Sequence, residues 1–422
     1  MRRLLSCTAV IVSLLCASGW AGAQSEEAEE RQAGAEERRG RRGLSTYVVD
    51  DRTAKRLREA LIAVSEERFD DAEAAVGRLR ERSLNPLERQ QAYEIRAYVA
   101  YGRNDLAAAR EHFESAIAQG QMTSQQLQDT RFQIAQLYLA EQMWAEVVEH
   151  LNIWFGIADD PSPVAYYLLA LAHYQNGDPD AAMVPAQKAV DGSPEPQESW
   201  LQLLLALKLT KKDYEASIPL LEELVRRFPK RTYWLSLSTV HGALGDYQNA
   251  LVPLQLAHTQ GYLTEDSDLR RLAQLLLFLG LPYRAAEVLQ EGLAAEQIAP
   301  DADVFEMLGN SWIAAREYEK TVEPLTRAAE LAADGDLFVR LAQVQIQREQ
   351  WAAAALALRR ALELGDLEKP GDAKLLMGIA FYNSERPKQA LSWFTQARTH
   401  EETRGEAEQW LLHIEREQQQ AG

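Results

Sequence analysis

Apolar, small and polar positions along this chain fall into one repeating order, and residues 233–261 show it most plainly. Trp234, Leu237, Ser238 and His241 sit at helical spacing on one face of a first helix. Gly245-Asp246 is a break, and Tyr247 follows it. Ala250, Leu254 and Ala257 then mark the inner face of a second helix. Gly245 is expected in the left-handed conformation that ends a helix, and Asp246 as the N-cap of the next. The small residues at 238 and 250 let the two helices approach closely, with Tyr247 plugging the corner. A single helix pair cannot bury its own apolar stripe, so the pattern requires neighbours.

The corner recurs ten times, at Phe69, Leu106, Trp144, Pro179, Tyr214, Tyr247, Tyr283, Tyr318, Trp351 and Pro387, with spacings of 33 to 38 residues. Three residues after each stands Ala72, Ala109, Val147, Ala182, Ser217, Ala250, Ala286, Thr321, Ala354 or Ala390, nine of them small. This order resembles the tetratricopeptide repeat, whose first helix carries W-x2-L-G-x2-Y and whose second carries A-x3-F. The resemblance implies an all-α, right-handed superhelical solenoid of about ten helix pairs over 45–402. Residues 403–422 follow as a capping helix and tail, with Trp410, Leu411 and Ile414 as its apolar stripe. Prolines inside four second helices (Pro185, Pro219, Pro253, Pro324) read as a mark of shared ancestry among those units, each removing one backbone bond. Breaker-rich joints are expected at 159–163 and 191–196.

The N-terminus changes this picture. Arg2-Arg3, an apolar run over 4–17 and Ala21-Gly22-Ala23 read as a secretory signal over 1–23, and the apolar run is too short to span a bilayer. Ser13-Leu14-Leu15-Cys16 is a poor lipoprotein site because leucine precedes the cysteine, so lipid anchoring at Cys16 is not expected. Cys7 and Cys16 are the only cysteines, so a processed chain would have no thiol chemistry. Residues 24–44 are acidic and then basic with few apolar side chains, the composition of a disordered charged linker. The formal charge is -18, and loss of Arg2 and Arg3 would bring it to -20. Such a chain is a poor ligand for nucleic acid or anionic lipid.

Chemistry is sparse. There is no Gly-rich phosphate loop, H-E-x-x-H or cysteine metal spacing, so no cofactor and no metal are expected. His173 and His241 fall at the large core-facing site of first helices and read as structural. Carboxylate pairs such as Asp159-Asp160 and Glu222-Glu223 lack a pocket to desolvate them, so the chain is read as no enzyme. What a repeat stack offers is a groove lined by first helices. The positions where tetratricopeptide proteins meet ligands fall here on Tyr98, Tyr101, Phe132, Tyr167, Tyr174, Arg271, Phe278, Glu306, Asn310 and Tyr382, many of them aromatic as binding hot spots are. Asp129, Asp268, Asp303, Asp336 and Asp372 open five first helices as N-caps or first-turn charges favoured by the dipole. No Lys–Asn cluster stands at the groove sites, which argues against capture of a chaperone's C-terminal carboxylate.

Four segments add a closer likeness: 198–207, opening Glu198-Ser199-Trp200-Leu201; 257–265, opening Ala257-His258-Thr259-Gln260; Leu281-Pro282-Tyr283-Arg284-Ala285-Ala286; and Glu408-Gln409-Trp410-Leu411. They are similar to the exported repeat proteins that accompany TonB/ExbB/ExbD-type energy-transducing systems of Gram-negative bacteria. That likeness implies a periplasmic accessory scaffold, with a peptide or helix of an envelope protein in its groove and no stable membrane insertion. The alternative is an envelope solenoid that supports polysaccharide export or cell-wall enzyme assembly.

Overall fold

Every turn between the two helices of a repeat is closed by one residue in the left-handed region, two residues before the corner in nine repeats and three before it at Gly280. These are Glu67, Asn104, Gln142, Gly177, Lys212, Gly245, Gly280, Arg316, Glu349 and Glu385, with φ between +56° and +83°. Gly245 behaves as the sequence indicates, and Asp246 caps the next helix by accepting from the Asn249 amide at 3.1 Å. Seven of the ten turns, however, put a side chain where glycine would cost least. The bulk of the repeat packing holds them there.

The computed structural model describes residues 47–421, so the signal over 1–23, the linker over 24–44 and Cys7 and Cys16 lie outside the described residues. The described chain is all-helical apart from turns, a single-turn 3-10 segment at Glu81–Ser83 and loops. It divides into two units between Lys211 and Lys212. In the first, helix pairs are Asp51–Ser65 with Phe69–Gly77 (α1, α2), Pro86–Gly102 with Leu106–Ile117 (α3, α4), Ser124–Ala140 with Trp144–Phe155 (α5, α6) and Pro163–Gln175 with Pro179–Asp191 (α7, α8), followed by Glu198–Thr210 (α9). The second begins with Tyr214–Arg227 (α10) and continues with Arg231–Ala243 and Tyr247–Thr259 (α11, α12), then Asp266–Phe278 and Pro282–Ala294 (α13, α14). Ala302–Ala314 with Tyr318–Ala332 (α15, α16), Gly335–Gln347 with Trp351–Leu364 (α17, α18) and Pro370–Asn383 with Pro387–Ala397 (α19, α20) complete its pairs, and Arg404–Ala421 (α21) closes it. The helices of the fifth repeat, α9 and α10, thus fall on either side of the division. No helix among the described residues is long and apolar enough to cross a membrane.

Small residues set the helix spacing. A Cβ at Gly309 would stand 2.7 Å from Leu325 Cδ2, and one at Gly378 would stand 2.5 Å from Phe394 Cε1. Ala72, Ala109, Ala182, Ala286, Ala354 and Ala390 are fully buried at the equivalent crossing. In the second unit one continuous apolar cluster runs from Trp234 to Ile414. The stripe of α21 joins it through Ala407 and Ile414, with Trp410 and Leu411 partly buried beside them.

Three sequence readings need correction. Asp129 is neither cap nor first-turn charge, because α5 starts earlier, at Ser124, behind a Thr123–Gln126 capping box. Among first helices, aspartate N-caps are instead Asp50, Asp301 and Asp334. Tyr247 and Tyr283 do not fill their corners: both stay more than 40% exposed, at 42% and 43%. Pro185, Pro253 and Pro324 share a buried position six residues past the corner, whereas Pro219 is five past it and exposed.

Candidate functional site

First helices of neighbouring repeats lie side by side, so residues about one period apart meet across them. On this face of the second unit, Arg340 of α17 donates from Nη1 to Glu306 Oε1 at 2.8 Å and to Asn310 Oδ1 at 3.1 Å, both on α15. Asn310 in turn donates to Glu306 at 3.4 Å. Two expected groove residues therefore come together around an arginine that sequence reading did not single out. Its signal was there: Arg340 follows Glu306 by 34 residues, one repeat. Arg271 uses the same logic, donating to Thr239 Oγ1 at 2.9 Å.

Tyr382 is engaged by the end of the chain itself. Its hydroxyl donates to Glu417 at 2.9 Å and lies 3.0 Å from His413 Nε2, both on α21. Burial first, and then the Glu417 carboxylate, hold this phenol above its ordinary pKa. Phe278 is 67% exposed and meets the ring of Tyr247 edge-on, with centroids 4.7 Å apart. It stands at the end of α13 beside the turn, apart from the Glu306–Asn310–Arg340 group.

In the first unit the expected residues divide between packing and exposure. Tyr98 meets Phe113 edge-on at 5.4 Å and accepts from Gln133 at 3.4 Å, and burial pushes its phenol up. Tyr101 is partly buried against the same cluster. Phe132 packs on Trp154 of its own repeat at 5.1 Å, and Tyr167 stacks on Trp200 at 5.6 Å. Tyr174 alone of these aromatics ranks as exposed, at 38%. Both core-facing histidines are partly covered, and the His241 Nδ1 atom is buried without a hydrogen-bond partner.

A third histidine, not singled out from sequence, is set among rings and charges. His150 on α6 stacks on Tyr138 at 4.8 Å, and Arg110 sits over the other ring at 4.4 Å. Arg131 bonds Glu114 at 2.6 Å, and Glu114 lies 4.0 Å from His150 Nδ1. Burial lowers the His150 pKa, Glu114 opposes that, and Arg131 and Arg110 reinforce it. A histidine lowered in the folded state takes its proton first in the unfolded chain. Its effect is absent well above the ordinary value near 6.5, and stability is lost as pH falls below it. The melting temperature should therefore drop more steeply from pH 7 to pH 5 in the natural chain than in His150→Gln. Parallel curves would mean that His150 titrates normally.

Comparison with known proteins fits these repeats. Residues 57–121, 156–195 and 339–407 match the profile of the tetratricopeptide repeat. A search of curated proteins gives no match. Among solved structures, the crystal structure of MamA is similar at 20% identity over 42% of this chain and 94% of that one, with a TM-score of 0.35. YrrB, described as a tetratricopeptide protein with an unusual peptide-binding site, aligns at 14% identity over 46% and 96%, with a TM-score of 0.36. The Naa15/Naa10 complex bound to HypK-THB aligns at 12% identity over 87% of this chain and 51% of that one, also at 0.36. The described chain is all-helical, and three stretches of it, lying in both units, carry tetratricopeptide repeats.

Proposed function

We propose that this repeat scaffold is non-catalytic and exported, and that its first-helix face holds a peptide or helix of a cell-envelope protein. The observation that carries the reading is the Glu306–Asn310–Arg340 group. It joins two repeats, stays partly open to solvent, and offers donor and acceptor together, as recognition of a peptide backbone or polar side chain requires. Carboxylates elsewhere serve the fold instead: Arg231 holds Asp268, and Arg270 holds Asp266 and Asp301. Export is supported by the signal-like residues 1–23, and the link to a TonB/ExbB/ExbD-type uptake system by the four segments similar to its accessory proteins.

A photo-crosslinking residue placed at Asn310 in intact cells tests this. Envelope transporter subunits should be captured, and Arg340→Glu should lower their yield at least about tenfold by setting two carboxylates side by side. Capture of cytoplasmic proteins alone, or a yield indifferent to Arg340, would remove the assignment.

A further inference from the structure

The second helices expose a different face of the same repeats. Among the ten of them, α12 alone has no Asp, Glu, Lys or Arg, in a chain that is 26% charged. Its buried side carries Ala250, Leu251, Leu254 and Ala257. Its outward side carries Val252 and Leu256, one turn apart, 48% and 45% exposed. These two form a ridge, because both line the cleft toward α10, of about 430 Å³, and the cleft toward α14, of about 500 Å³. Asn249, Gln255, His258 and Thr259 complete the clefts from α12 with uncharged polar groups. The outer walls are charged in a definite order: Glu222 then Arg226 along α10, and Arg284, Glu287 then Glu291 along α14.

We propose that this ridge is the docking surface for a second copy of the chain. Two copies at a formal charge of -18 repel each other, so contact is favoured where charge is missing. An antiparallel two-fold arrangement sets Val252 against Leu256 of the second copy. The same rotation brings Glu222 to Arg226 of the second copy, which also holds Glu223 of its own helix, and Arg284 to Glu291, with Glu287 near its own counterpart. The charge order on the two walls suits self-association, with an apolar centre and opposite charges paired at its rim, as a two-fold interface requires. A partner bound at the first-helix face would leave this surface untouched.

Sedimentation velocity on the full chain across about a hundredfold range of concentration tests the proposal. The mass should rise from one chain to two. Val252→Lys with Leu256→Lys should weaken dimerisation at least about tenfold with helicity unchanged, because both positions are exposed. Leu356→Lys, at an outward position of α18 that is 66% exposed, should leave it unaltered. Glu222→Arg should weaken the dimer, and adding Arg226→Glu should restore it. A chain that stays monomeric, a dimer that survives the lysine pair, or an exchange that fails to restore association would each overturn the proposal.

Discussion

Phe394→Ala is expected to cost about 3–5 kcal/mol, the range for truncating a fully buried aromatic side chain. Phe394 is wholly buried in α20. Its ring occupies the space that a side chain at position 378 would need, and it stacks on Trp410 of α21 at 5.3 Å with planes 5° apart. Three helices from three successive positions thus meet on one ring. Little can collapse into the void, since Gly378 brings only backbone to it. In an array stabilised by neighbour contacts, the loss should be local. Amide exchange in α19, α20 and α21 should accelerate, while helices of the first unit keep their protection. Leu412→Ala removes a half-exposed side chain of α21 and should be near neutral. Equal protection in the two variants would mean that α21 does not depend on this ring.

Much of the repeat architecture was legible because its signals are local and periodic. Each corner lies within about ten residues of the small positions it organises, so one well-formed copy at 233–261 set the register for poorer ones. What the sequence hid falls into two kinds. The turns at Glu67, Lys212 and Glu349 adopt the left-handed conformation without glycine, because tertiary packing outweighs local preference there. Position Asp129 was misread for a related reason: the helix start was fixed by Thr123 and Gln126, six and three residues upstream.

The candidate site was less legible. Side-chain roles depend on which neighbour lies across the repeat, and that is a matter of pairs rather than of single positions. Phe132 and Tyr167 look like surface aromatics along their own helices, yet each meets a tryptophan, Trp154 and Trp200. Opposite charges about one period apart were the overlooked signal. Arg103 reaches Asp70 33 residues away, Arg270 reaches Asp301 at 31, and Arg340 reaches Glu306 at 34.

The strongest of these links supports the second large effect. Arg231→Ala should destabilise the region of α11 and α13 by about 2–3 kcal/mol, because it strands a buried charge. Arg231 grips Asp268 with Nε at 2.5 Å and Nη2 at 2.8 Å, and also reaches Glu265 at 2.6 Å. Asp268 is only 3% exposed, while the arginine remains open to solvent along one side, so the lower part of the range for broken buried pairs applies. The size of the loss then comes from the desolvated carboxylate rather than from the attraction itself. Replacing both partners with apolar residues should therefore recover most of it. Urea unfolding of Arg231→Ala, Asp268→Leu and the double variant Arg231→Met/Asp268→Leu separates the two origins. Arg231→Ala should be the worst of the three. A double variant as unstable as Arg231→Ala would place the energy in the ion pair and reverse the assignment.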